Sequence, residues 1–153
     1  MESDAREQLQ IIEHAAAAPY VNYPATPWWY SPLVGLWAAA MIGTFIWWRE
    51  STALFAASLA ILIALEGAFI AWIRRRHGAL PMPGRGTPPA EIGRVWRGYF
   101  LALPVVAGLI ALAWWLGGVP VAAVTAFVVI AAGLEYYERR YAAAAAKVRE
   151  RLA

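Results

Sequence analysis

The chain has 153 residues, 61% of them hydrophobic and 15% charged, against roughly 45–50% and about 25% in soluble domains. Its formal net charge is +3, but the basic residues flank long apolar runs, which is the pattern of membrane orientation and not of nucleic-acid binding. There is no cysteine, so disulfides, thiolate metal sites and thiol nucleophiles are excluded.

Residues 1–18 read as a short cytoplasmic amphipathic helix. Leu9, Ile12 and Ala16 form a narrow apolar stripe, and Glu2, Asp4 and Glu7 lie where the helix dipole favours negative charge. The N-terminus lacks the basic-then-apolar pattern of a cleaved signal, so the first apolar span is expected to stay as an anchor. Residues 19–32 carry four prolines and read as an irregular interfacial linker, with Pro19 ending the first helix. Trp28, Trp29 and Tyr30 precede the first apolar run, as interfacial aromatics do.

The first span is expected over 33–48 with Pro32 in its first turn, Arg49 and Glu50 as a tight turn, and the second span over 52–73. Residues 74–97 form one long loop rich in Arg, Pro and Gly, whose last residues can begin a helix. The third span is expected over 98–116, kinked at Pro104, and the fourth over 119–137, with Gly117 and Gly118 as the turn between them. Residues 138–153 carry no breaker and extend the fourth span as a helical tail. The reading is an all-α membrane protein with four transmembrane helices arranged as two hairpins, 33–73 and 98–137.

Orientation follows from charge. The N-terminal segment, the long loop and the tail hold twelve of the thirteen Lys and Arg residues, and an even number of crossings puts all three on one side. The positive-inside rule makes that side cytoplasmic, in a multi-pass protein of the cell membrane. Arg74, Arg75, Arg76, Arg94, Arg97, Arg139 and Arg140 are then topology determinants that meet lipid headgroups. Trp47, Trp48, Trp114 and Trp115 are expected to mark the outer interface, and Trp28, Trp29, Trp72, Trp96, Tyr99, Tyr136 and Tyr137 the inner one.

Lipid tails are as apolar as leucine, so helices associate through close approach at small residues. Gly35, Ala39 and Gly43 in the first span and Ala56, Ala60, Ala64 and Ala68 in the second are spaced for this, as are Ala107 with Ala111 and Ala122 with Ala126. The two chain ends have opposite charge. The tail has its own stripe of Tyr137, Tyr141, Ala145, Val148 and Leu152, which leaves two readings open: the ends pair with each other, within the chain or between subunits, or dock a partner, or the tail lies on anionic lipid.

Glu66 is the one ionisable residue well inside a span. Such residues face a partner, a cavity or a pathway. At about 100° per residue it stands about 160° from the Ala60, Ala64 and Ala68 row, on a face with Leu59 and Leu62. It is expected to look away from the tight alanine seam, toward another helix, another subunit or a ligand, either as a proton- or cation-binding carboxylate or as a protonated or Arg-paired residue that stabilises assembly. Catalysis is poorly provisioned. His14 and His77 lie outside the spans, and no nucleophile elbow, P-loop, zinc-protease helix or dinucleotide fingerprint occurs. No catalytic residue, metal or cofactor is expected.

A polar N-terminal helix followed by TPWWYSPLVGLWAA, Thr26 to Ala39, and then paired apolar hairpins resembles small four-helix membrane proteins common in actinobacteria. The resemblance covers the layout of the chain and implies a bacterial source and no activity. The alanine-rich composition, with arginine far exceeding lysine, suggests the same source.

The expected partners are the bilayer and either a protein partner or a second copy, with no nucleic acid. The first functional reading is a non-enzymatic accessory or scaffold subunit, or a membrane anchor for a cytoplasmic partner. The second is a small oligomeric transporter or channel with Glu66 as its coupling site. The third is a membrane sensor of apolar ligands that holds a regulator.

Overall fold

The computed structural model describes residues 2–22, 26–77, 83–84 and 86–152, with the side chains of residues 2–7, Leu9 and His77 left aside. Among the described residues there are four α-helices and no strand. They are α1 (Glu2–Val21), α2 (Tyr30–Gly43), α3 (Thr52–His77) and α4 (Ala90–Leu152), and a 3-10 turn, Thr44–Trp47, extends α2.

Three stretches are long and apolar enough to cross a membrane: Tyr30–Trp47, Thr52–Arg76 and Ala90–Leu152. Fourteen α residues at a 1.5 Å rise and four 3-10 residues at 2.0 Å make the first about 29 Å long, close to the roughly 30 Å of a hydrocarbon core. α4 has 63 residues and is broken once, at Gly118. There φ is 70° and ψ −164°, a conformation that only glycine adopts without strain. Pro120, which lacks an N–H, follows at the start of the second arm, where no helical partner exists for it.

Several boundaries differ from expectation, each for a local reason. α1 does not stop at Pro19 but runs to Val21. The proline forfeits one hydrogen bond, and burial of Tyr20 and Val21 just beyond it offsets the loss. α2 begins at Tyr30 and so takes in part of the expected linker. Pro32 is the third residue of that helix, where no N–H is needed. The arginines 74–76 continue α3 as helix, since no breaker occurs before Gly78. α4 starts at Ala90, inside the expected loop.

The chain forms two compact units, and α4 contributes to both. The first comprises Met1–Thr26, Leu80–Leu101 and Tyr136–Ala153. Its core is Ala17, Tyr20, Val21, Ile92, Trp96, Tyr141, Ala144, Ala145 and Val148, with Ile92 and Val148 both at 0% exposure. The tail stripe of Tyr141, Ala145 and Val148 is therefore buried, with Tyr137 and Leu152 packed beside it. The N-terminal stripe is corrected. Ile12 and Ala16 are exposed, and the buried face is Ala17, Tyr20 and Val21. The choice follows from what the partners of α1 offer, since its neighbouring face places Tyr20 edge-on to Trp96, on the first turns of α4, at 5.9 Å.

The second unit comprises Pro27–Ala79 and Ala102–Glu135. Gly35 is buried in it, and a Cβ there would lie 2.8 Å from the carbonyl oxygen of Phe127 and 3.0 Å from the Cβ of Ala131. Ala122 and Ala126 are likewise fully buried. Gly43 meets nothing within 4 Å, and Ala39 is half-buried, so close approach in the glycine row is confined to Gly35. Ala107 and Ala111 are exposed.

The alanine row of α3 requires a larger correction. Ala56, Ala60, Ala64 and Ala68 are all exposed. The half-buried positions are Phe55, Ser58, Leu59, Leu62, Glu66, Phe69 and Ile73. They fall within an arc of about 100°, centred about 170° from the alanines. Large side chains win this face because α2 and the 3-10 turn present aromatic rings to it. Phe45 packs on Phe55 at 5.2 Å, and Tyr30 and Trp29 pack on Phe69 at 6.4 Å.

Candidate functional site

Two places concentrate polar chemistry, one in each unit. In the first unit, the end of α1 is held by the tail through its main chain. The Tyr141 hydroxyl donates to the carbonyl of Tyr20 at 2.9 Å, and the Arg149 guanidinium donates to the carbonyl of Val21 at 2.8 Å. The last four carbonyls of a helix have no partner within it. The tail supplies two of the missing donors, and the cation sits at the negative end of the α1 dipole. Arg151 then bridges two helices, reaching Glu13 of α1 at 3.4 Å and Glu91 of α4 at 3.3 Å. The other oxygen of Glu91, Oε2, is buried and has no hydrogen-bond partner among the described residues.

Further contacts close this unit. The Thr26 hydroxyl donates to Glu138 at 2.7 Å. Tyr99 packs on Tyr137 at 5.2 Å, joining the two α4 segments. Gly86, at φ 76°, lies so close to the Tyr20 hydroxyl that any Cβ would collide with it. The expected pairing of the ends is thus realised within one chain. Charge and stripe pointed to it, whereas the hydrogen bonds to backbone carbonyls leave no mark in a sequence.

In the second unit, Glu66 is half-buried on the packed face of α3. α2 runs antiparallel to it. Tyr30 faces Phe69, the Trp37 indole N–H donates to the carbonyl of Leu62 at 3.4 Å, and Phe45 faces Phe55. This register sets Glu66 opposite Leu33 and Val34, between the Trp37 contact and the Phe69 rings. α2 carries no basic residue. Among the described residues, no hydrogen bond or ion pair to Glu66 is present. The acid stands opposite Ala60, Ala64 and Ala68 and faces another helix, one of the placements expected for it, while the seam itself forms on this large-residue face instead of on the alanines.

The basic residues singled out from sequence, Arg74, Arg75, Arg76, Arg94, Arg97, Arg139 and Arg140, are exposed. Arg76 lies over the Trp72 ring and Arg140 over the Tyr136 ring, each at 5.5 Å. Trp28 is 84% exposed, and Trp47, Trp48, Trp114 and Trp115 are also exposed, while Trp29 and Tyr30 are half-buried against Phe69. Among the described residues, no cluster of three metal-ligating side chains occurs.

Comparison with protein families, with curated proteins and with solved structures finds no match. The functional reading therefore rests on the residues of this chain alone.

Proposed function

We propose that the chain is a non-enzymatic integral membrane protein of four crossings that anchors a cytoplasmic partner, as an accessory or scaffold subunit. The observation that carries the reading is the helical unit built from both chain ends around Ile92 and Val148. Residues 98–134 contain no charged side chain, and Gly118 divides them into two stretches each about one bilayer thickness long. Arg97 precedes the first stretch and Arg139 follows the second. The distribution of twelve of thirteen basic residues supports a cytoplasmic face for that helical unit. A separate folded unit with exposed arginines fits the holding of a protein against the membrane.

Single cysteines introduced at residues 10, 49, 116 and 147 test the topology, since the chain has none of its own. A membrane-impermeant maleimide should label 49 and 116 in intact cells, and 10 and 147 only after lysis. Labelling of all four in intact cells would refute the orientation. For the partner, Val148→Asp should lose the proteins that co-purify in mild detergent, and Glu66→Gln should keep them. An identical set from both variants would sink the anchor reading.

A second reading is favoured by the place of Glu66 in the α2–α3 seam. A carboxylate on a packed apolar face with no cation opposite it suits proton or cation coupling in a small oligomeric transporter. Proton-linked flux in liposomes should vanish in Glu66→Gln. Flux of equal size in the variant, or none in the wild type, ends this reading.

A further inference from the structure

The apolar stripe that the sequence offers for docking is already covered. Tyr141, Ala145 and Val148 of the tail, with Ile92 and Trp96, are buried beneath the last turns of α1. We infer that this stripe is a receptor for the C-terminal end of an amphipathic helix, that α1 fills it at rest, and that a partner helix binds by displacing α1. The inference rests on the anchor reading and names both the ligand class and the control of that site.

Three observations carry it. First, among the described side chains of α1 the buried ones lie at its end. Ala17, Tyr20 and Val21 are buried, whereas Ile11 and Ile12 are 62% and 63% exposed, as are Gln8, Gln10, Ala15 and Ala16. The occupied feature is about two turns long and can be replaced by another helix end.

Second, the polar groups of the receptor address features common to every helix end. Tyr141 and Arg149 donate to the main-chain carbonyls of Tyr20 and Val21. Any helix terminating at this point presents the same orphan carbonyls and the same negative dipole end.

Third, release leaves Arg151 with a partner. It bridges Glu13 of α1 and Glu91 of α4. When Glu13 departs, Arg151 retains Glu91, so no stranded charge opposes the exchange. The Glu13 pair is about half exposed on each side, which makes it weak and exchangeable. The tether strengthens the tail's hold on α1. Eight residues separate α1 from α2, and short tethers give effective concentrations on the order of millimolar. A partner must bind well enough to beat that figure. The helix that fits carries a small residue at i, an aromatic at i+3 and an acid at i−4, as Ala17, Tyr20 and Glu13 do.

The probe is a fluorescent peptide of residues 2–22, and the receptor is the full chain in detergent micelles. Wild type should bind it weakly. Tyr20→Asp, which expels the resident helix, should bind it at least about tenfold more tightly, given the lost competition from the tether. Adding Val148→Asp should abolish the gain. A second test does not depend on Tyr20→Asp folding. Glu13→Cys with Arg151→Cys, bridged by a bis-maleimide, should close the receptor and reduce peptide binding below wild type. Equal binding by wild type and Tyr20→Asp, or binding unaffected by the bridge, overturns the inference. The anchor reading fails separately. A peptide that behaves as expected while Val148→Asp leaves the co-purifying proteins unchanged refutes the anchor and keeps the receptor. Loss of those proteins in Val148→Asp without any peptide binding does the reverse.

Discussion

The guanidinium of Arg149 donates a 2.8 Å hydrogen bond to the carbonyl of Val21, 128 residues earlier in the chain. One side chain of the tail thus caps the end of the first helix. A hydrogen bond from a charged donor contributes about 1.5–3 kcal/mol when well shielded, and partial exposure puts this one near 1 kcal/mol. Arg149→Gln should therefore speed amide exchange over residues 17–22 by several-fold while leaving residues 120–134 unchanged. Hydrogen exchange read by mass spectrometry in micelles checks this, and uniform protection in both proteins would contradict it.

Gly35 and Gly43 belong to one row with different surroundings. A methyl at Gly35 meets the Phe127 carbonyl and Ala131, both parts of a packed helix, whereas Gly43 faces open space. Gly35→Ala should cost about 1–3 kcal/mol through overpacking. Gly43→Ala should be neutral or stabilise by up to about 1 kcal/mol through helix propensity. Thermal unfolding in the same detergent distinguishes them, and equal Tm values would show that close approach at Gly35 is unimportant.

Gly118 carries the only break in α4 among the described residues. Its φ of 70° costs a side chain about 1–2 kcal/mol, so Gly118→Ala should lower Tm. Gly108→Ala, in open space on the same helix, should not. A drop of the same size at both positions would make the break irrelevant.

Arg151 should couple to Glu91 more strongly than a fully exposed pair does, because one Glu91 oxygen is buried. A double-mutant cycle of Arg151→Ala with Glu91→Gln should give about 0.5–1 kcal/mol. The value should fall as salt rises from 0.05 to about 0.5 M, since exposed charge pairs are screened. A coupling of zero at low salt would remove Arg151 from the clasp.

Part of this was legible in the amino-acid order. The stripe Tyr141, Ala145, Val148 is regular and bounded by charge, so it was legible as a packing face, and the structure buries it. The acidic start and basic tail left pairing of the ends and a tail lying on lipid both open, and the packing within the chain decided between them. The N-terminal helix misled because its apolar residues ring it on several sides, and periodicity alone does not choose among them. The packing partners made the choice: the first turns of α4 offered Trp96 and the tail two backbone caps to the face of Ala17 and Tyr20.

By itself the sequence determined the apolar lengths, the break at Gly118 and the placement of charge at the ends, because these depend on composition, backbone conformation and local spacing. Only the tertiary structure decided which face of α3 is buried. A helix apolar all round has no preferred side until a neighbour supplies one. The rings of Tyr30 and Phe45 supplied it, pulling Phe55, Leu62 and Phe69 inward, turning the alanines out and carrying Glu66 into the seam.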